Sequence, residues 1–187
     1  MGMRADGCCR HAFIVQYKTA YYSFYLSVAL ALRVCGVPEV YEVRGETVRP
    51  YEIALSILLR IGEYFQIQDD FLDYAGTPEQ IGKVGTDIVD NKCSWCVNVA
   101  LDVVSPAQRA VLDANYGRKD WDKEAKVKAV YEAIGLRERY REYEDQVKAR
   151  LDVLIAGVPE PEDKKVEGVL RRQVFTAFVN KIYKRTK

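Results

Sequence analysis

The sequence predicts an all-α helix bundle. Three observations carry that reading. Apolar residues recur at spacings of three and four, Gly and Pro interrupt the chain at intervals of about one helix length, and no run sustains the alternation of a strand.

The first helix is expected over residues 13–35, ending at Gly36 and Pro38. The second begins near Pro50, a residue suited to a first helical turn. Ile53, Ile57, Ile61, Tyr64, Ile67 or Gln68, and Phe71 then mark one amphipathic face, which stops before Gly76 and Pro78. A loop containing Gly82 and Gly85 follows, and a third helix is expected from near Asp87. Ser105 and Pro106 form a cap and first turn, and Gly117 closes that short helix. Helices over 121–134 and 136–156 are separated by Gly135. "GVPEPED" is a turn or loop, and a last helix is expected over 164–183. The chain reads as a single all-α domain over 1–187.

Composition narrows the function. Apolar residues make up 49% and charged residues 29% of the 187, a globular profile long enough for a sizeable core. Lys plus Arg is 28 and Asp plus Glu is 27, a near-zero balance that argues against a nucleic-acid binder. The most apolar run, 20–32, lies between Lys18 and Arg33. It is shorter than the ~20 residues of a spanning helix, so no membrane span is expected. Five cysteines, an odd number, suit a reducing compartment, and the cytoplasm is the expected location.

The chemistry concentrates in "GEYFQIQDDFLDYAGTPEQIGKVGTDIVDNKCSW". Asp69 and Asp73 are four residues apart, so on a helix both carboxylates share a face; Asp70 is rotated off that line. Adjacent like charges destabilise a bare helix and become favourable around a divalent cation. Magnesium suits oxygen ligands and is commonly held by one or two carboxylates plus substrate phosphates. Phosphate would also account for Lys83, in the glycine-flanked "IGKVG", and Lys92. The alternative is a solvated acidic face with scattered lysines. Gln66 and Gln68, which interrupt the apolar stripe, favour an inward polar site.

"FQIQDDFLD" followed by "GKVGTDIVDNKCSW" resembles the second aspartate-rich region of the farnesyl diphosphate synthases, in the polyprenyl synthase family. "YKTAYYSFYLSVALAL" looks like the helix just upstream in that family, and "NYGRKD" and "KIYKRTK" are similar to later landmarks. The resemblance runs from about Val15 to Lys187. It implies an isoprenoid-synthase-type bundle and a magnesium-dependent prenyltransferase. In that family an allylic diphosphate (dimethylallyl or geranyl) is ionised, isopentenyl diphosphate attacks the resulting cation, and a proton is lost.

The resemblance also implies roles. Asp69 matches the principal magnesium ligand, with Asp70 and Asp73 completing the metal motif. Lys83 and Lys92 match the lysines on the allylic diphosphate. Lys18 and Thr19, taken as catalytic, and Gln66 match groups lining the allylic site. Phe65 and Arg185 match the isopentenyl side, and Asp87 an acid that orients a lysine.

The family also carries a first aspartate-rich motif, with the isopentenyl pocket beside it. Upstream of Asp69 this sequence has Asp6 as its only aspartate. Residues 1–12 do not match what is expected before "YKTA". The resemblance is therefore to the C-terminal half of a synthase, truncated at its N-terminal side and inactive alone. The alternative is a non-catalytic relative that binds magnesium-diphosphate or pairs with a full-length synthase. A homo-oligomer, or association with a complementing synthase chain, is expected.

Other features have plainer readings. Cys93 and Cys96 in "CSWC" would need Cys8, Cys9 and His11 to complete a zinc site, and core cysteine is favoured. Tyr17, Tyr21, Tyr22 and Tyr25 read as core packing, although Lys18, Tyr22 and Tyr25 share a face that would line the allylic pocket.

Overall fold

The computed structural model describes residues 7–82 and 84–185. Its elements run α1 (Gly7–Val15), a π-helical segment (Gln16–Tyr25), α2 (Leu26–Val34), β1 (Tyr41–Val43), β2 (Glu46–Val48), α3 (Pro50–Ala75), α4 (Pro78–Ile81), α5 (Trp95–Val103), α6 (Pro106–Asn115), α7 (Trp121–Ala133), α8 (Leu136–Ala156) and α9 (Arg172–Ile182). The fold is helical, as expected. No helix among the described residues is long and apolar enough to cross a membrane.

The chain divides into two compact units. Unit one holds residues 1–14, 66–144 and 185–187; unit two holds 15–65 and 145–184.

In unit one, α6 packs on α7 around a core that includes Ile88, Val97, Ala100, Leu112, Val127 and Tyr131. Local chemistry sets the helix starts. Ser105 and Gln108 form a reciprocal capping box with Pro106 in the first turn of α6. The Asp120 carboxylate accepts the N–H groups of Asp122 and Lys123 at the start of α7.

Residues 87–91 form turns and 92–94 are irregular, which corrects the expected helix from Asp87. Asn91 sits at φ 55°, a left-handed conformation that a helix interior excludes, and Ser94 is extended, so α5 begins only at Trp95.

In unit two, the side chains of Val28, Ile57, Leu58, Ile61, Tyr64, Leu151 and Phe175 are buried. The π-helical segment widens the first helix around Ala20, where α3 comes closest. A Cβ on Gly62 would lie 2.4 Å from the Ala20 Cα, so only glycine admits this approach.

The hairpin β1–β2 corrects the expectation of no strands. Arg44 and Gly45, both at positive φ, make the two-residue turn that joins it. Three-residue strands are too short to show alternation. The last helix starts at Arg172 rather than at Lys164. Gly168 is left-handed, and the Arg171 guanidinium is spent on the carbonyls of Asp163, Lys164 and Val166.

The tyrosine run is not core, which corrects the packing expectation. Tyr17, Tyr21 and Tyr22 are exposed, Tyr22 by 67%, and the outward apolar side chains continue through Leu30 to Val34 at 89%. Tyr17, Tyr21 and Tyr25 follow one another with tilted rings whose centroids are 6.4 and 5.2 Å apart.

Candidate functional site

Unit one gathers most of the expected residues around the C-terminal end of α3. Asp70 is 2% exposed, and both its oxygens are fully used. Oδ1 accepts the Gln66 amide at 3.0 Å and the Lys92 ammonium at 3.0 Å. Oδ2 accepts the Trp95 backbone N–H at 2.8 Å and the His11 Nε2 at 3.0 Å. An ionised carboxylate has about four acceptor positions, so this one is saturated by the protein.

Asp73 also turns to the chain. It accepts the backbone N–H groups of Thr86 at 3.3 Å and Asp87 at 2.9 Å, pinning the incoming loop to α3. Gly85 makes that possible: a Cβ there would lie 2.0 Å from the Asp73 carbonyl oxygen. The close backbone approach expected of this glycine loop is therefore used here on α3. Asp69 is half-buried and accepts no hydrogen bond from the described residues.

Lys92 is held from two sides, by Asp70 and by Asp87 Oδ2 at 2.7 Å, with its side chain still 31% exposed. Its backbone is fixed as well. The Tyr116 hydroxyl donates to the Lys92 carbonyl at 2.6 Å, and the Gly117 N–H to the Ile88 carbonyl at 2.9 Å. "NYG" thus acts as the clamp on the Lys92 turn.

The charges follow from this geometry. Burial alone would raise the Asp70 carboxyl, but the His11 hydrogen bond, Lys92 and the Trp95 N–H outweigh it and hold it below its ordinary value. Burial alone would lower the Lys92 ammonium, and the two carboxylates raise it instead. Asp87 is pushed up to about 6, first by burial and then, against the Lys92 hydrogen bond, by Asp73 and Asp70. Two carboxylates compete for one ammonium, and Asp87 is left the weaker acid.

A prediction arises here. A raised folded value means that Asp87 contributes stability below its unfolded value of about 4, and that this is lost as pH rises through about 6. Asp87→Asn keeps an acceptor for Lys92 and removes the charge. Its stability relative to the parent should improve between pH 4 and 7, by on the order of 1–3 kcal/mol. Thermal melts of both chains at pH 4.5 and 7.5 check this, and a constant difference would contradict it.

The remaining expected residues are placed as follows. In unit two, Lys18 is exposed and Thr19 buried, both in the π-helical segment; such segments are rare and frequent at functional sites. Phe65 is half-buried, its ring 5.4 Å from that of Phe24. Arg185 is half-buried in unit one. Lys83 lies outside the described residues, as do the side chains of Cys8 and Cys9. Cys96 is buried, with its thiol raised by burial, and Cys93 is half-buried; both are unbridged. A cavity of about 340 Å³ in unit two is lined by Tyr21, Tyr25, Arg33, Arg49 and Tyr51 among others; of the residues expected to line the allylic pocket it holds Tyr25 and none of the expected metal or diphosphate ligands.

His11 was missed as a partner of Asp70. The two are 59 positions apart, and nothing local in the sequence joins them.

The fold is the helical fold of the isoprenoid synthases. T. brucei farnesyl diphosphate synthase complexed with the bisphosphonate BPH-722 matches with a TM-score of 0.84 and 34% identity, over 100% of this chain and 49% of that one. The same enzyme complexed with risedronate matches at 0.81 and 32%, over 100% and 50%. The polyprenyl synthetase family profile matches residues 5–134, which takes in residues 5–12 of the segment expected not to match, and the chain belongs to that family. Farnesyl pyrophosphate synthase of Ganoderma lucidum is 58% identical over 95% of this chain and 49% of its own length. That of Saccharomyces cerevisiae is 48% identical over 95% and 47%. The chain spans about half the length of the curated relatives it matches.

Proposed function

We propose that this chain supplies the diphosphate-holding half of a magnesium-dependent farnesyl or geranyl diphosphate synthase site. The observation that carries the reading is the Lys92 ammonium, fixed between Asp70 and Asp87 with part of its surface open to an anion. The relatives with bound bisphosphonates support it, because a bisphosphonate presents the same paired phosphorus-oxygen groups as a diphosphate.

Among the described residues, no three His, Cys, Asp or Glu side chains are grouped to hold a metal. Magnesium is commonly held by one or two carboxylates together with substrate phosphates. Asp69 is the carboxylate left for it, while Asp70 and Asp73 position Lys92 and the loop. Magnesium bound there would stabilise charge on the departing diphosphate.

Lys92, with Lys83, binds the diphosphate of a dimethylallyl or geranyl substrate. Gln66 orients Asp70. Lys18, Thr19 and Phe65 in unit two, and Arg185 in unit one, keep the roles that the resemblance implies. The allylic C–O bond breaks, the isopentenyl alkene attacks, and a proton leaves.

Calorimetric titration with inorganic pyrophosphate tests the reading. Binding should require magnesium and should weaken at least about tenfold in Asp69→Ala, the loss of one ligand to a charged group. Equal binding by parent and variant would contradict it.

The second reading, a chain that pairs with a complementing synthase chain or with a second copy of itself, is favoured by one observation. Tyr17, Tyr22, Leu30 and Val34 stand exposed on one helix of unit two, and apolar surface of that kind marks partner sites.

A further inference from the structure

We propose that His11 is a positioning residue for Lys92, acting through the carboxylate of Asp70. The proposal rests on the reading of Lys92 as a diphosphate ligand and adds to it a residue from the opposite end of the sequence.

His11 is the chain's one histidine, and it is 7% exposed on α1. Its Nε2 lies 3.0 Å from Asp70 Oδ2. An ionised carboxylate only accepts, so Nε2 carries the proton and donates. The same carboxylate accepts Lys92 on Oδ1 at 3.0 Å. The two oxygens form one rigid fork. Losing the His11 donor leaves Oδ2 with the Trp95 N–H alone and one buried acceptor position empty, and the fork turns about its own bond to fill it. That rotation carries Oδ1, and the ammonium resting on it, away from the position shared with Asp87.

His11 and the Trp95 N–H therefore lock one oxygen so that the other can aim the lysine. A positioned cation is worth more to a phosphate than a mobile one, because its orientation is settled before the ligand arrives. Cys96 contributes on the same side by donating its thiol to the Asp70 carbonyl at 3.5 Å, which ties α5 to α3 beneath the carboxylate.

A solely structural histidine would change stability and leave affinity per folded molecule unchanged, so affinity decides. The probe is inorganic pyrophosphate with magnesium, titrated calorimetrically into the full chain. His11→Leu should bind about five- to tenfold more weakly, the effect of one hydrogen bond to a charged group. His11→Gln, whose amide N–H reaches the Nε2 position, should recover affinity to within about twofold. Weak binding by both variants would mean that ring shape matters rather than the bond, and would overturn the proposal. Unchanged binding by His11→Leu alongside weakened binding by Lys92→Ala would overturn the proposal alone. Unchanged binding by Lys92→Ala would overturn the reading of Lys92 and the proposal with it.

If His11→Leu does not fold, the parent chain decides. Labelled with ¹⁵N-histidine, it gives the ring signals of one imidazole. Saturation with magnesium and pyrophosphate should move the Nε2 signal in the parent and not in Lys92→Ala. A stationary signal in the saturated parent would overturn the proposal.

Discussion

Given isopentenyl and dimethylallyl diphosphates with magnesium, the 187-residue chain alone is expected to form no farnesyl or geranyl diphosphate at an ordinary enzyme's rate. Ionising an allylic diphosphate requires the departing charge to be met from every side in a site closed to water. Of the three aspartates in the motif, Asp70 and Asp73 are committed to protein donors, which leaves Asp69 as the ligand proposed for magnesium. Upstream of Asp69 the sequence contains one further aspartate, Asp6. Removing a single donor to developing charge commonly costs 10²–10³ in rate. Turnover should fall at least about a thousandfold below the ~10 per second of an ordinary enzyme. A labelled-substrate assay checks this, and a rate within about tenfold of ordinary would contradict it.

Asp70→Ala should be the most destabilising single change in the aspartate motif, while Asp69→Ala should be nearly silent in stability. Removing the Asp70 carboxylate leaves the Lys92 ammonium with Asp87 alone. It also strips Gln66, the Trp95 N–H and His11 of an acceptor in a buried site. Breaking a buried charge network from one side costs roughly 3–5 kcal/mol. In a chain of this length that corresponds to roughly 6–20 °C in melting temperature. Asp69, half-buried and without such bonds to the described residues, should shift it by less than about 2 °C.

The Asp70 contribution also has a pH window. Its folded value is depressed, so the stability is complete above the unfolded value of about 4 and is lost as pH falls through the lower folded value. Melting curves of the three chains at pH 7 test the contrast, and equal shifts for the two variants would contradict it.

What the sequence made legible was what depends on neighbours in the chain. Pro50 and Gly76 bracket α3 as expected, and Ser105–Pro106 starts α6, because caps and first turns are local chemistry. Gln66 and Gln68 do face inward: one holds Asp70, and the other donates to the buried Glu144 at 3.5 Å.

The unread parts depend on contacts across the fold. A period of 3.6 cannot reveal a segment wound at the wider π pitch, and the shape of Gln16–Tyr25 goes with Gly62 lying against Ala20. The Asp87–Lys92 stretch looked helical by composition. It is instead a turn fixed by Asp73, Tyr116 and Gly117, none of which lies within it. Helical spacing alone treated Asp69 and Asp73 as a pair. Tertiary donors separate them, giving Asp73 to a loop and Asp70 to Lys92 and His11.

The central claim is that these residues form half of a prenyl-diphosphate synthase site. Its most direct test is reconstitution. The chain is mixed with a separately produced polypeptide corresponding to the rest of the Ganoderma lucidum relative, which this chain matches over 49% of its length. Product formation is then measured with isopentenyl and dimethylallyl diphosphates and magnesium. The account predicts prenyl diphosphate only when both chains are present, and its loss when this chain carries Asp69→Ala. A stable complex of the two chains that forms no product, or one that forms it equally well with Asp69→Ala, would contradict the claim.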